Sequence, residues 1–168
     1  MSEITEAVEE RLGHVLAANG RTIAAAESCT GGLVTSRLTD VAGSSAYVMG
    51  SIVSYANDVK ERLVGVQHAT LAAHGAVSEE TAREMAEGVR RAIGTDIGLA
   101  TTGIAGPGGG TAEKPVGLVY TAVATAAGTT VRENHFTGTR TEVKRQASET
   151  VLTMALDALM ENSGRPQR

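Results

Sequence analysis

A short run of small residues leads directly into four side chains that could carry chemistry. Ala24-Ala25-Ala26 precedes Glu27-Ser28-Cys29-Thr30, which brings together a carboxylate, two hydroxyls and a thiol, and Gly31-Gly32 follows. The apolar periodicity that begins at Leu33 predicts a helix after the glycines. The polar cluster therefore lies between a strand and a helix, which is where open α/β sheets bind their ligands. Free backbone N–H groups at such a helix start also favour negative charge.

Ser28 and Thr30 each have two interpretations. Hydroxyls in this position often do no more than cap the first amides of the helix. Alternatively, Ser28 is a nucleophile, and it then needs a neighbouring base because a free hydroxyl reacts weakly. Cys29 is a rival nucleophile, although a single thiol beside a sheet is more often buried and inert.

Tyr55 and Lys60 follow the next predicted strand and are candidates to activate Ser28. Serine–lysine pairs are a known variant of the serine–histidine arrangement. A partly desolvated lysine can lose its proton near neutral pH, and Tyr55 could relay that proton or hold the amine. The sequence alone agrees equally with a solvated Lys60 and with a strand-end aromatic at Tyr55.

The third predicted strand runs into a glycine-rich loop that extends from Thr101 to near Pro115. No Gly-Lys-Ser/Thr follows, and the glycine spacing is not that of a dinucleotide fingerprint. Loops of this length usually serve a function. Amides at Thr102, at Gly103 or in the turn after Ser28 could form an oxyanion hole.

Arg140, Lys144 and Arg145 lie at the start of the last predicted helix. They could hold a phosphate group, and an arginine fork suits that task better than a lysine. Solvated helix charges are the competing interpretation, and the sequence does not decide between the two.

The elements that must position these groups alternate between strands and helices before a final hairpin. Strands are predicted over 22–26, 47–55, 96–100, 116–125 and 130–136, and helices over 4–19, 31–40, 59–64, 69–73, 78–93 and from 139 onward. This order predicts an α/β fold, a three-layer α/β/α sandwich with a mixed sheet. We expect one domain over residues 1–163 and a disordered tail at 164–168.

The composition is that of an ordinary globular domain. The 168 residues are 42% hydrophobic and 20% charged, which suffices for one normal core. No apolar run approaches a membrane span, and the acidic amino terminus lacks the pattern of a signal peptide. With one cysteine, no internal disulfide can form. We therefore expect a cytoplasmic protein without membrane contact.

Charge and histidine placement argue against two further classes of function. The net charge is −4, and the chain has three tyrosines, one phenylalanine and no basic block, so we expect no nucleic-acid partner. The four histidines lack metal-ligand spacing and no acidic calcium loop is present, so we expect no metal and no other cofactor.

Six segments, in order along the chain, resemble the CinA carboxy-terminal domain family. They are Ala26-Glu27-Ser28-Cys29-Thr30-Gly31-Gly32, Val53-Ser54-Tyr55-Ala56-Asn57-Asp58-Val59-Lys60, His74-Gly75-Ala76-Val77-Ser78, Gly103-Ile104-Ala105-Gly106-Pro107-Gly108-Gly109, Glu113-Lys114-Pro115-Val116-Gly117, and Phe136-Thr137-Gly138-Thr139-Arg140 followed by Arg145-Gln146-Ala147. The resemblance covers residues 5 to 160 and is highly specific for the family. It is less specific for the activity.

Stand-alone members of that family are nicotinamide-nucleotide amidohydrolases. The resemblance therefore implies hydrolysis of the carboxamide of nicotinamide mononucleotide (NMN) to the acid nucleotide and ammonia, in pyridine nucleotide salvage. By matching position, it implies that Ser28 is the nucleophile and that Tyr55 and Lys60 activate it. It also implies a substrate site lined by Thr30, Gly31, Asn57, Thr102 and Gly103, with Arg140 and Arg145 at the phosphate.

Two other functions remain open at this point. The chain could be a non-catalytic nucleotide-binding or regulatory module associated with competence or the DNA damage response, as the family name suggests. It could also be a different serine amidase that acts on another small amide. In either catalytic case we expect a small-molecule substrate, a pyridine mononucleotide in the first. We also expect a homo-oligomer, for which the apolar surfaces of the short strands and the Tyr47–Val53 segment are candidate contacts.

Overall fold

The computed structural model describes residues 5–162. Within them the helices are α1 (Val8–Ala18), α2 (Leu33–Thr39), α3 (Asn57–Val64), α4 (His68–His74), α5 (Glu79–Ile93) and α6 (Arg140–Asn162), with a short 3₁₀ helix at Ser44–Ala46. The strands are β1 (Ile23–Glu27), β2 (Val48–Val53), β3 (Ile97–Gly103), β4 (Leu118–Thr125) and β5 (Gly128–His135). Ile4 and the predicted tail at 164–168 lie outside the described residues.

The strands form one sheet in the order β2-β1-β3-β4-β5. β1 runs parallel to β2 and to β3, whereas β4 and β5 are antiparallel additions. Glu27, the last residue of β1, pairs with Val53 on one side and with Thr101 on the other. The carboxyl ends of these three strands therefore meet at one edge of a mixed sheet, as predicted.

The alternation of side chains along β1 builds a separate core on each face of the sheet. Ala25 points into a core that α1, α2 and α6 cover with residues such as Leu12, Leu38 and Leu152. Ala24 and Ala26 point to the opposite face, where α3 and α5 pack their apolar residues. The predicted three-layer α/β/α sandwich is confirmed, because the successive residues of a strand face opposite sides.

β3 is longer than the sequence predicts. Thr101, Thr102 and Gly103 belong to the strand and pair with Thr121, Tyr120 and Val119 of β4. Their assignment to the glycine-rich loop was wrong, because antiparallel pairing with a distant strand overrides the low strand propensity of glycine. The loop that remains, residues 104–117, connects β3 to β4 at the carboxyl edge.

The starts of α5 and α6 follow their local sequence signals. The Ser78 hydroxyl accepts a hydrogen bond from the Thr81 N–H and caps α5. Thr139 and Glu142 form a reciprocal capping box, in which the Thr139 N–H donates to the carboxylate at 2.7 Å and the Glu142 N–H donates to the hydroxyl at 3.3 Å. No helix of the described residues is both long enough and apolar enough to cross a membrane.

Candidate active site

Ser28 lies immediately after β1 and is held there by the neighbouring strand. Its backbone N–H donates to the Thr101 carbonyl at 3.0 Å, which continues the parallel pairing by one residue. The residue is 8% exposed. Its side chain is therefore nearly withdrawn from solvent at the carboxyl edge of the sheet.

Lys60 reaches Ser28 from the next strand connection. α3 begins at Asn57, so Lys60 lies in the first turn of that helix, and it is only 1% exposed. Its Nζ donates to the Ser54 carbonyl at 2.7 Å and to the Tyr55 carbonyl at 3.1 Å, and it lies 3.1 Å from the Ser28 Oγ. The serine and lysine that the sequence singled out therefore meet in the structure.

Burial lowers the pKa of the Lys60 amine from its ordinary value, because a charged ammonium loses hydration there. Among residues 5–162, no carboxylate pairs with this amine to restore the charged form. A neutral amine has two N–H groups and one lone pair. If the two carbonyls accept the two N–H groups, the lone pair is directed at the Ser28 hydroxyl.

Cys29 is adjacent to Ser28, but its environment makes the side chain unreactive. Burial raises the pKa of its thiol to about 12, and the side chain packs with Ala105, Val119 and Val143. Because the thiolate is the reactive form of cysteine, this environment disfavours Cys29 as a nucleophile.

A cavity of about 280 Å³ opens above the Ser28–Lys60 pair. Its lining comprises Ser28, Cys29, Tyr55, Lys60, Ala76, Val77, Thr102, Gly103, Ile104, Ala105, Gly106, Gly108, Gly109 and Arg140. Arg140 supplies a guanidinium that stays charged, and no carboxylate is among the lining residues. The cavity therefore favours an anionic ligand although the whole chain has a net charge of −4.

Six of the residues predicted for the site line this cavity, and four do not. Ser28, Tyr55, Lys60, Thr102, Gly103 and Arg140 are in the lining, whereas Thr30, Gly31, Asn57 and Arg145 are not. Thr30 is buried against Glu27 and Thr101, with its hydroxyl 2.7 Å from an oxygen of each. Gly31, Asn57 and Arg145 are exposed on the turn before α2, the start of α3 and the first turns of α6.

Tyr55 and Arg140 contact each other at the cavity mouth. The Arg140 Nη2 donates to the Tyr55 hydroxyl at 3.2 Å, and its Nη1 donates to the Gly106 carbonyl at 2.7 Å. The Tyr55 side chain is thus engaged by Arg140, and it is the Tyr55 carbonyl that Lys60 meets. This arrangement favours a part for the Tyr55 ring in binding substrate over a part in moving the proton.

The cavity lining includes a segment to which the sequence analysis assigned no role in the site. Ala76 and Val77, between α4 and α5, line the cavity, and the Thr102 hydroxyl fixes this segment by donating to the Ala76 carbonyl at 2.7 Å. Small apolar side chains carry no chemical signal of their own. The segment is one of the six that carry the family resemblance, and its contact with Thr102 of β3 shows its place in the site.

Gly103 offers a backbone N–H beside Ser28 that β4 does not engage. Ile104 donates to the Leu118 carbonyl at 2.9 Å, so the alternation along β3 turns the N–H of Gly103 away from β4 and toward the end of β1. The Ser28 N–H is already bonded to Thr101. Gly103 is therefore a candidate donor for an oxyanion hole, together with the amides of the turn after Ser28 that have no acceptor within residues 5–162.

Metal-binding groups are sparse in the described part of the chain. Across residues 5–162, no three His, Cys, Asp or Glu side chains lie close enough together to hold a metal ion. The groups in the cavity lining that could take part in chemistry include the Ser28 hydroxyl, the Lys60 amine and backbone amides.

These features define an α/β domain with a buried serine–lysine pair at the carboxyl edge of a mixed sheet. Residues 5–159 match the CinA C-terminal domain model, and the chain belongs to that family. A competence-damage inducible protein of Moorella thermoacetica is 50% identical over 88% of this chain, and the match spans 36% of that relative. The chain thus spans little more than a third of the length of the curated relatives it matches.

Solved structures of similar length share the fold. The competence/damage inducible protein CihA of Agrobacterium tumefaciens is 42% identical with a TM-score of 0.87, covering 95% of this chain and 99% of its own. A CinA superfamily protein from Klebsiella pneumoniae is 32% identical with a TM-score of 0.88, covering 92% of this chain and 96% of its own. The fold and the family therefore rest on independent comparisons.

Proposed function

We propose that the protein hydrolyses the carboxamide of NMN to nicotinic acid mononucleotide and ammonia, as an amidase of pyridine nucleotide salvage. The proposal of serine-dependent amide hydrolysis rests on the buried Lys60 amine, which lies 3.1 Å from the Ser28 hydroxyl and is bonded to two backbone carbonyls. The family resemblance supplies the substrate.

The reaction would proceed through an acyl-enzyme. Neutral Lys60 accepts the Ser28 proton as Oγ attacks the amide carbon, and the Gly103 N–H stabilises the oxyanion. Protonated Lys60 then returns its proton to the departing nitrogen, which leaves as ammonia. Water, deprotonated by the same amine, hydrolyses the nicotinoyl ester and regenerates Ser28.

Cavity size and charge support a mononucleotide. A volume of about 280 Å³ is at the small end for ligand sites and is better matched to one nucleotide than to a dinucleotide. Arg140 lies at the mouth, where its fork could exchange the Tyr55 hydroxyl and the Gly106 carbonyl for a phosphate. The carboxamide would then lie inward, toward Ser28.

The decisive experiment measures ammonia release from NMN by the wild type, Ser28→Ala and Cys29→Ala. Loss of the nucleophile in Ser28→Ala lowers turnover by at least about a thousandfold. Cys29→Ala keeps turnover within about tenfold, because its thiol only packs in the wall.

The opposite pattern, with activity kept in Ser28→Ala and lost in Cys29→Ala, would contradict the serine assignment. A substrate panel of NMN, nicotinamide riboside, nicotinamide and glutamine tests the substrate separately. Faster release from glutamine than from NMN would indicate a different serine amidase.

The names of the relatives favour one second candidate, a non-catalytic nucleotide-binding module linked to competence or DNA damage. In that case the cavity would bind an anionic nucleotide without turnover. Calorimetry with NMN separates the two functions, since the module would give a binding isotherm and no ammonia.

A further inference from the structure

Glu27 is a completely buried carboxylate that lies next to Ser28 but outside the cavity lining. It accepts hydrogen bonds from the N–H groups of Gly32, Val34 and Thr35 at 3.2, 2.8 and 3.0 Å. It also accepts from the hydroxyls of Thr30 and Thr35, both at 2.7 Å. The three N–H groups can only donate, so both carboxylate oxygens serve as acceptors, and the Thr35 hydroxyl is shared with the Ser51 Oγ, 2.7 Å away.

The buried Glu27 carboxylate is stabilised without a cationic side chain. None of the hydrogen bonds and ion pairs described for residues 5–162 joins Glu27 to a lysine, arginine or histidine. Its partners are instead the first amides of α2 and two hydroxyls, which together satisfy a carboxylate that would otherwise be costly to bury. A carboxylate bound in this way also caps α2, whose N-cap residue, Gly32, has no side chain to do so.

The contacts of Glu27 enclose the turn that carries Ser28. They join the residue before the serine to Thr30, Gly32 and the start of α2. Gly31 and Gly32 in this turn have φ angles of 61° and 109°, so the backbone here has the conformational freedom of glycine. Thr30 adds a second tie, because its hydroxyl also lies 2.7 Å from the Thr101 hydroxyl of β3.

We propose that Glu27 is a positioning residue: its buried carboxylate fixes the Ser28–Gly32 turn and thereby holds the Ser28 hydroxyl in line with the Lys60 amine. This inference rests on the proposed nucleophile but not on the identity of the amide substrate. Glu27 contacts neither the substrate cavity nor Lys60. Its removal therefore acts on the rate of serine attack and leaves the binding groups in place.

The test uses Glu27→Gln, which keeps the shape but sets an NH₂ group against N–H donors. A displacement of the nucleophile by about 1 Å costs roughly a hundredfold in rate, so we expect kcat for NMN to fall about a hundredfold. KM should stay within about threefold, because the cavity lining is unchanged. Phosphonylation of Ser28 by a fluorophosphonate, in which Oγ bonds to phosphorus and fluoride leaves, should slow to the same extent when followed by peptide mass spectrometry.

Two further variants keep the proposal testable if Glu27→Gln folds poorly. Thr35→Val removes one of the five donors and should lower kcat about tenfold, whereas Thr35→Ser keeps the hydroxyl and should restore it. Asp96→Asn is the matched control, since Asp96 accepts from the Thr22 N–H and hydroxyl at the opposite end of the sheet. It alters stability without changing the Ser28 labelling rate of the folded fraction.

Unchanged kcat and labelling in both Glu27→Gln and Thr35→Val would overturn the positioning role. So would losses that only track the unfolded fraction, as in Asp96→Asn. A wild type that labels at Ser28 but releases no ammonia from NMN would refute the proposed substrate, and the labelling rates would still decide the role of Glu27. A wild type that does not label at Ser28 would overturn both proposals.

Discussion

At the scale of single residues, the proposed mechanism depends on the protonation of Lys60. The structure surrounds its amine with two carbonyls and one hydroxyl, and no acidic side chain of the cavity lining stabilises the ammonium form. A protonated amine has no lone pair and cannot accept the Ser28 proton. In the proposed mechanism, the fraction of neutral Lys60 therefore sets the fraction of protein that can react.

This reasoning predicts an acid limb in the pH profile of kcat/KM. Burial lowers the pKa of Lys60 from 10.5, so activity should rise with pH and reach half its maximum below that value. Initial rates of ammonia release from NMN between about pH 5 and about pH 10 would measure the midpoint. Lys60→Arg should be inactive throughout, because a guanidinium stays protonated.

Lys144→Met is the control for this profile, since Lys144 is also a lysine near the Ser28 turn but does not line the cavity. The pH at which Lys144→Met reaches half of its maximal kcat/KM should match that of the wild type. A flat profile for the wild type, or measurable activity in Lys60→Arg, would show that Lys60 is not the base.

The sequence predicted that Ser28 and Lys60 lie together, but not the partners of every hydroxyl. Ser28 and Lys60 could be chosen because each has a residue type and a strand-end position suited to the reaction. Thr30 shares both properties with Ser28, yet its hydroxyl is taken by Glu27 and Thr101. That distinction requires the direction of each side chain in the turn, which residue types alone do not specify.

At the scale of elements, the shared edge of β1, β2 and β3 was predictable from strand order. Each of these strands is followed by polar or glycine-rich residues, and parallel strands bring such ends together. The length of β3 was not predictable in the same way. Its last three residues are in the strand because β4 pairs with them, and this contact depends on residues that lie beyond the intervening loop.

The start of α6 separates two arginines that the sequence treats alike. Arg140 is the first residue of the helix and lines the cavity, whereas Arg145 is exposed outside it. Five residues of helix rotate a side chain by about 140°, so the two guanidinium groups leave the helix in different directions. Only Arg140 is placed to meet a phosphate at the mouth.

We therefore predict that Arg140→Ala removes the preference for NMN over nicotinamide riboside. A charge-assisted bond to phosphate contributes about 1.5–3 kcal/mol, so kcat/KM for NMN should fall by at least about tenfold while that for the riboside changes little. Steady-state kinetics with the two substrates measure the ratio.

Arg145→Ala is the matched variant on the same helix and should keep the wild-type ratio. If Arg145→Ala instead abolishes the preference and Arg140→Ala preserves it, the phosphate lies elsewhere than at the cavity mouth.

At the scale of the whole molecule, the two edges of the sheet differ in character. β5 forms one edge and includes Arg132, Glu133 and His135, the kind of charged residues that discourage pairing with another strand. β2 forms the other edge and exposes Met49 and Val53 by 45% and 47%. The second edge is the one suited to contact with another chain.

We expect a second copy of this chain to cover β2. Two copies related by a two-fold axis bring their β2 edges together antiparallel, so the same residues meet from both sides and the contact is self-complementary. Tyr55, which follows β2 and is 61% exposed, would then lie close to the partner beside the cavity mouth. The predicted homo-oligomer thus has a specific surface on which to form.

Substitution of Met49 and Val53 together by lysine should convert the wild-type oligomer to a monomer, because lysine on an edge strand opposes pairing by charge and desolvation. Sedimentation velocity at several protein concentrations measures this change. Met160→Lys is the control, since Met160 is 59% exposed on α6 and lies away from β2. A monomeric wild type would contradict the expectation, and dissociation by Met160→Lys alone would place the contact on α6 instead.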